Sequence, residues 1–173
     1  VAGSVGPVVS CNGTEVDVKD PGAAAAGHIT TAVYFDKLAT PDNIAFKSRR
    51  LPRMGRESFS APFVAAYSAV TILAAAVVEA GSDDPEAVRE LVTARRYQTP
   101  IGPVAVDART HHAALRPHLG RSTAEGVFEI VESAPSAIAA DPFLISAQLN
   151  AVPRDRTSDT GHLQLVSNRE ARR

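Results

Sequence analysis

Three histidines and a nearby carboxylate are the residues whose types most readily suggest metal chemistry. His111, His112 and His118 follow Asp107 closely along the chain. Zinc binds imidazole and carboxylate groups in a tetrahedral arrangement. Adjacent histidines point in different directions in most backbone conformations, and no cysteine or compact His-x-x-Glu motif accompanies them. We therefore interpret this segment as a loop held by its own hydrogen bonds, and we expect no metal site.

The usual sequence signatures of an enzyme are missing. The chain has no Gly-x-Ser-x-Gly elbow, no Gly-Lys-Ser/Thr phosphate loop and no dinucleotide-binding glycine fingerprint. Asp83 and Asp84 are adjacent acids, but their place before Pro85 is that of helix caps. The single Cys11 cannot form a disulfide within the chain, and no histidine lies near it in sequence to activate its thiol. We expect a protein with no catalytic residue and no cofactor.

Composition and charge are those of a soluble globular protein. The 173 residues include 45% hydrophobic and 21% charged residues and no tryptophan, so an Ala/Val/Leu/Ile core is large enough for one domain. The formal charge of -1 argues against a direct nucleic-acid partner. The most apolar window, Ala61–Ala80, contains Thr71 and Glu79, and we interpret it as a buried soluble helix. The start at Val1, without a leader pattern, looks like a cut or mature end.

Apolar runs and capping residues predict alternating strands and helices in the first half of the chain. A hydroxyl or acidic residue before a helical pattern satisfies the first backbone N–H groups, and proline suits the first helical turn. Alternation of strand and helix predicts a parallel α/β layer. The predicted elements are a strand over Pro7–Ser10, a short helix capped by Thr14, a strand over His28–Phe35, a helix opened by Thr40 and Pro41, and an exposed basic connection over Arg49–Arg56.

The second half has two further capped helices and two strand patterns. Pro62 suits the first turn of a long helix that Gly81 ends, and Asp84 opens the next helix. Strands are predicted around Val104 and over Val127–Val131, where they are open to pairing as a hairpin. The long helix is expected to bury an apolar face made of Tyr67, Val70, Leu73, Ala74, Val77 and Val78.

Several segments, taken in order, carry a family likeness. They are Pro7–Ser10 with Thr14–Val18, Gly27–Phe35 with Thr40–Asn43 and Phe46, Ala66–Val70, Ala80–Ser82, Pro100–Val104 with Asp107 and His111, Gly126–Val131 and Asp141–Phe143. Together they resemble the type I periplasmic-type binding proteins, and they are most similar to the branch that binds urea and short-chain amides. The resemblance covers about residues 7–143. It implies an α/β fold with three-layer, parallel-sheet lobes, incomplete in this chain.

The resemblance implies a ligand held between two lobes that close about a hinge. Residues 1–58 would be part of the second lobe, residues 59–145 would return to the first lobe and hinge, and residues 146–173 would be a poorly ordered tail. A small amide offers a carbonyl acceptor and N–H donors. The candidate ligand contacts are Thr14, Glu15, Tyr34 and Tyr67. Thr14 and Glu15 equally suit helix capping, and both tyrosines suit half-buried aromatic positions.

Two functions follow from the resemblance. One is the substrate-binding component of an ABC-type transporter, recognising urea, a short-chain amide or a related small polar, amino-acid-like ligand and working with a membrane permease. The other is a cytoplasmic amide sensor that regulates amidase expression through a partner protein. The location would be periplasmic or extracytoplasmic if a signal precedes residue 1, and cytoplasmic otherwise. A remnant domain that binds no ligand is a third interpretation.

Overall fold

The computed structural model describes residues 8–55 and 58–142. The predicted tail over residues 146–173 lies outside them. The described residues form the helices α1 Glu15–Lys19, α2 Pro41–Met54, α3 Ala61–Ala80 and α4 Pro85–Ala94. In the same part of the chain the strands are β1 Val9–Ser10, β2 Ile29–Ala32, β3 Arg96–Thr99, β4 Gly102–Val106, β5 Ala113–Ala114, β6 His118–Ser122 and β7 Phe128–Ser133, with a 3₁₀ turn over Gly22–Ala25.

Capping residues start and end the helices where the sequence predicts. The Thr40 hydroxyl accepts a hydrogen bond from the Asn43 backbone N–H at 3.1 Å, which satisfies one of the unpaired donors at the start of α2. Gly81 ends α3 in a left-handed conformation with φ 60°, a conformation that costs glycine little. The prediction of an exposed connection over Arg49–Arg56 is wrong for its first part, because α2 continues through Pro52 to Met54.

A four-stranded sheet has the strand order β1-β2-β6-β7. The pair β1–β2 is parallel, and β2–β6 and β6–β7 are antiparallel. The predicted α/β alternation is present, but parallel pairing among the described strands is confined to β1 and β2. The ring of Phe35 lies against Gly120 so closely that a β-carbon there would be 2.5 Å from the Phe35 Cζ atom. Gly120 therefore admits the Phe35 ring to the sheet face.

A second, three-stranded sheet is antiparallel and has the order β3-β4-β5. Val104 on β4 is opposite Tyr97 on β3. The predicted pairing of the Val104 strand with the Val127–Val131 strand is wrong, because β7 pairs with β6. Both strand patterns are present, but a neighbouring strand that the sequence analysis left out, Arg96–Thr99, pairs with β4 through a shorter connection.

The face of α3 that is buried differs from the predicted face. Val64, Ser68, Ile72 and Ala76 are buried, whereas Val70, Leu73 and Val78 are 67%, 52% and 81% exposed. Almost every position of α3 is apolar, so helical spacing alone does not distinguish one face from another. The predicted face is therefore wrong for Val70, Leu73 and Val78, whereas Tyr67 does pack on an apolar core cluster. The helix itself is confirmed, but it is less buried than predicted.

By length and composition α3 is apolar enough to cross a membrane. An 18-residue window of this helix has a mean hydropathy of 2.0, and 22% of that window is buried. A single helix of this kind is weak evidence for a membrane span, because helices of soluble cores pass the same test.

Candidate functional site

The carboxyl ends of two parallel strands meet at one edge of the four-stranded sheet. Ser10 at the end of β1 is opposite Thr30 on β2. A short turn leads from β1 into α1, which begins at Glu15, and Tyr34 and Asp36 follow β2. Ligands of open α/β sheets bind at such strand ends. We call Thr14, Glu15, Tyr34 and Asp36 the Glu15 edge.

Glu15 is a buried carboxylate with only half of its acceptors used. Glu15 is 5% exposed. Its Oε1 atom accepts a hydrogen bond from the Asp36 backbone N–H at 2.8 Å, whereas its buried Oε2 atom has no hydrogen-bond partner. Burial raises the pKa of Glu15, and the charge of Asp36 raises it further, against the hydrogen bond from the Asp36 backbone. A hydrogen-bond donor brought to Oε2 would stabilise the ionised form.

Asp36 connects the Glu15 edge to two helices. Its carboxylate pairs with Lys47 on α2 and accepts a hydrogen bond from the Phe59 backbone N–H at 3.1 Å, just before α3. Asp36 was not among the predicted site residues, because both partners are distant in sequence. The available signal was an acid directly after the aromatic pair that ends the second strand pattern.

Tyr34 lies in the core beneath this edge. It is buried with Phe46, Phe59 and Val64 in one apolar cluster, and its hydroxyl lies 3.5 Å from the Asp36 Oδ1 atom. Burial raises the pKa of Tyr34 above its ordinary value, with the charges of Asp36 and Glu15 adding to the effect. The hydroxyl is therefore a neutral donor beside two carboxylates.

Thr14 caps α1. Its backbone N–H and its hydroxyl both donate to the Asp17 carboxylate, each at 2.8 Å. This is the capping interpretation that the sequence left open for Thr14. The hydroxyl oxygen still has acceptor capacity, because it donates its proton to Asp17.

Two adjoining clefts open beside Glu15, with volumes of about 260 and 370 Å³. Both are lined by Glu15, Lys19 and Ser58, and the first also by Asp36 and Lys37. Acidic and basic groups thus alternate around the opening. Such a lining suits a small polar molecule that both donates and accepts hydrogen bonds.

Tyr67 lies outside the linings of the two clefts beside Glu15. Its hydroxyl accepts a hydrogen bond from Arg50 at 3.2 Å, and the same guanidinium lies 5.3 Å from the centre of its ring. Its ring packs on Phe46 with a centroid distance of 4.7 Å. Tyr67 lines a separate cleft of about 210 Å³ with Arg49 and Gln98. Of the four predicted contacts, Glu15 alone lines the two clefts beside it. Thr14 adjoins Glu15 in the chain, Tyr34 is 1% exposed, and Tyr67 packs on the same apolar cluster as Tyr34.

Comparison with known proteins identifies the family. A family model described as "Periplasmic binding protein domain" matches residues 2–149. The chain belongs to the periplasmic binding protein family. The leucine-binding protein LivK of Thermotoga maritima aligns with a TM-score of 0.64 and 21% identity over 76% of this chain and 38% of its own. A solute-binding protein from Rhodopseudomonas palustris HaA2, in complex with p-hydroxybenzoic acid, aligns with a TM-score of 0.69 and 23% identity over 81% of this chain and 39% of its own.

These comparisons confirm the predicted α/β fold of type I periplasmic binding proteins, present here in part. The chain spans about two fifths of the length of the solved structures that it matches. A curated relative, named limonene hydroxylase, from Geobacillus stearothermophilus, is 24% identical over 133 residues, which are 76% of this chain and 24% of the relative. The matching family is one of binding proteins, and at this identity the relative's name assigns no reaction to the chain.

The three histidines considered as metal ligands, His111, His112 and His118, lie in two places in this periplasmic binding protein. His112 is in an exposed loop, where its Nδ1 atom lies 2.6 Å from the Thr110 carbonyl, and His118 is on β6 beside the Ser133 hydroxyl. Hydrogen bonds from Thr110 and Arg109 lower the pKa of Asp107. The predicted loop held by its own hydrogen bonds is confirmed. Within residues 8–55 and 58–142, no three His, Cys, Asp or Glu side chains form a group that could hold a metal ion.

Proposed function

We propose that this periplasmic binding protein is the substrate-binding component of an ABC-type transporter and holds urea, a short-chain amide or a related small polar ligand at the Glu15 edge. The observation that supports the proposal is the buried Glu15 carboxylate, whose Oε2 atom has no hydrogen-bond partner. An N–H group of an amide or urea supplies the donor that this oxygen lacks. The membrane permease is the proposed partner, and the extracytoplasmic side is the proposed location.

Charge around the clefts favours a neutral ligand in this proposal. Three carboxylates, those of Glu15, Asp36 and Glu125, line the first cleft with two lysines, Lys19 and Lys37. A net anion or a net cation therefore meets like charges as well as opposite ones. An amide carbonyl can accept from a lysine ammonium while its N–H donates to Glu15. A carboxylate ligand, such as the p-hydroxybenzoic acid of one relative, has no N–H to offer to Glu15.

Tyr67 is not part of the proposed site at the Glu15 edge. It lines a cleft with Arg49 and Gln98, and its hydroxyl is bonded to Arg50. A ligand role for Tyr67 stays a prediction. Replacement of Tyr67 by Phe removes only the hydroxyl, so an unchanged affinity for the transported ligand would restrict the site to the Glu15 edge.

An NMR titration of the ¹⁵N-labelled chain tests the proposed ligand class. We expect urea and acetamide to shift the backbone signals of Thr14, Glu15 and Asp36, and 4-hydroxybenzoate, which has no N–H group, to leave them in place. Affinity should be at least about a hundredfold weaker than in a protein with both lobes, because half of the polar contacts and the closing motion are absent.

Glu15→Gln is the decisive variant, because its amide group can present N–H to the ligand where the carboxylate presents an acceptor. We expect it to weaken urea binding about tenfold, which is the cost of one mismatched hydrogen bond. Glu129→Gln is the matched control, since Glu129 is exposed on β7. Binding of neither urea nor acetamide by the wild-type chain, or equal affinities in both variants, would overturn the proposal.

A further inference from the structure

Three polar side chains form a chain of hydrogen bonds beneath the turn that leads into α1. They are Ser10 on β1, His28 just before β2 and Thr30 on β2. The His28 Nε2 atom lies 2.9 Å from the Ser10 hydroxyl oxygen. The Ser10 hydroxyl oxygen lies 3.2 Å from the Thr30 hydroxyl oxygen. The backbone N–H of Gly13 donates to the same Thr30 oxygen at 3.1 Å. We call these three side chains and the Gly13 amide the Thr30 relay.

The Ser10 hydroxyl has one proton and two partners, His28 and Thr30. When Ser10 donates to Thr30, it accepts from the His28 tautomer that carries its hydrogen on Nε2. With the other His28 tautomer, Ser10 donates to His28 and accepts from the Thr30 hydroxyl. In both arrangements the Thr30 oxygen accepts from the Gly13 amide.

Gly13 lies so close to the relay that an added β-carbon would require its neighbours to shift by a few tenths of an ångström. A β-carbon at Gly13 would lie 3.0 Å from the Ser10 oxygen, 3.1 Å from the Thr30 oxygen and 3.2 Å from the Thr30 Cβ atom. Thr30 is fully buried, so it cannot retreat from an added methyl group without disturbing the sheet. The backbone of the turn is therefore in close contact with the relay.

We propose that Ser10, His28 and Thr30 are positioning residues for the ligand site, because they hold the turn from Cys11 to Thr14 and thereby set where Glu15 begins α1. This inference rests on the proposed function of the Glu15 edge. The turn is short, and Gly13 is followed at once by the Thr14 cap and by Glu15. A shift of the Gly13 backbone moves the Glu15 carboxylate away from the Asp36 N–H, 2.8 Å distant. A hydrogen-bonding site tolerates little of such movement.

Thr30→Val tests the positioning role, because valine keeps the shape of threonine and removes the acceptor of the Gly13 N–H. We expect hydrogen exchange at Gly13 to accelerate at least about tenfold. The Glu15 titration followed by carboxyl ¹³C NMR should move toward the ordinary range of a glutamate, because its raised pKa depends on burial. Urea affinity should fall about tenfold. Thr30→Ser keeps the hydroxyl and should restore all three readouts.

Two controls keep the test decisive. Thr93→Val removes an exposed hydroxyl on α4 that bonds only its own helix, and it should change none of the readouts. Ser10→Ala interrupts the relay at a half-buried position and serves if Thr30→Val does not fold; it should shift the His28 Nε2 resonance and the Glu15 titration. Unchanged exchange at Gly13, or an unchanged Glu15 titration, overturns the positioning role.

Ligand binding separates this inference from the proposed function. If the wild-type chain binds neither urea nor acetamide, the proposed function fails. The exchange and titration readouts then still decide whether the relay positions Glu15. If urea binds but Thr30→Val binds it with wild-type affinity, the proposed function survives and the positioning role fails.

Discussion

The Glu15 edge and helix α3 deal with burial in opposite ways. At the Glu15 edge, charged groups are withdrawn from solvent and held by hydrogen bonds and an ion pair, as with Glu15, Asp36 and Lys47. On α3, apolar side chains such as Val70 and Val78 face outward. A buried carboxylate is costly unless it is paired, whereas an exposed valine costs the isolated chain little. The difference indicates that chemistry belongs to the first region and scaffolding to the second.

This contrast also separates two kinds of interaction. Hydrogen bonds at the Glu15 edge are directional, so each partner can be identified from the donor and the donor–acceptor distance. Apolar contacts on the outer face of α3 have no direction, and the exposure of this face alone identifies no partner. Variants of the two regions should therefore differ in kind as well as in size.

Asp36→Ala should have the largest effect on stability. It removes the ionic partner of Lys47 and the acceptor of the Phe59 N–H. Lys47 then keeps its hydrogen bond to the backbone carbonyl of residue 36, and the Phe59 N–H loses its acceptor. We expect the free energy of unfolding to fall by about 3 kcal/mol, measured by chemical denaturation.

The control for this variant is a solvent-exposed ion pair of the same protein. Glu86 pairs with Arg89 on the exposed surface of α4, so Glu86→Ala should cost less than about 1 kcal/mol. Equal losses in Asp36→Ala and Glu86→Ala would show that the Asp36 network does not hold the two regions together.

The two faces of α3 can be compared at adjacent positions. Ile72 is buried with Tyr97 and Val104, and Leu73 is 52% exposed. Ile72→Ala should lower the free energy of unfolding by about 2 to 3 kcal/mol, whereas Leu73→Ala should change it by less than about 0.5 kcal/mol. Thermal and chemical denaturation of both variants measure the difference. A larger loss in Leu73→Ala would reverse the assignment of the buried face.

The same two regions show which parts of the structure local sequence predicts. Caps and breakers act within a few residues, so the starts of α2 and α4 at Thr40 and Asp84 were correctly predicted. The buried face of α3 was not, because it depends on contact with β3 and β4 rather than on the helix's own pattern. The extension of α2 through Pro52 also overrode a local signal.

Prediction of the candidate site was limited for a similar reason. Thr14, Glu15 and Tyr34 were proposed because they lie at or near the carboxyl ends of strand patterns, which meet at one edge of a parallel sheet; their contact with a ligand stays a prediction. The Asp36 network and the Thr30 relay were missed. Asp36 meets Phe59 and Ser10 meets His28 only after the chain folds, so no spacing within one segment predicts these contacts.

Two glycines in left-handed conformations allow the crowding beside α1 to be compared with that at the end of α3. Gly126 has φ 74°, and a β-carbon there would lie 2.7 Å from the Lys19 Cα atom of α1; Gly81, with φ 60° at the end of α3, has nothing within 4 Å. Both alanine variants lose about 1 kcal/mol from backbone strain. Gly126→Ala should lose a further 1 kcal/mol, roughly, from the clash. Melting temperatures that fall equally would show that α1 yields freely beside β7.

The smallest expected effect is the pH dependence that Glu15 contributes to stability. Burial raises its pKa in the folded state above the ordinary value of 4.5, so above pH 4.5 the folded state binds more protons than the unfolded state. By linkage, stability from this group is fully present below pH 4.5 and falls as pH rises through the folded pKa. Glu15→Gln does not titrate there, and its stability relative to wild type should increase between acidic and neutral pH.

His118 changes stability in the opposite direction over part of this range. Burial and then Arg116 lower the pKa of His118 below 6.5, so stability is lost as pH falls below that value. This contribution is common to wild type and Glu15→Gln, and it cancels in their difference. Thermal denaturation at several pH values, with Glu129→Gln as the control, therefore isolates Glu15. A difference that stays constant with pH would mean that the Glu15 carboxylate is as well stabilised in the fold as in water, and the unpaired Oε2 atom would then offer no advantage to a ligand N–H.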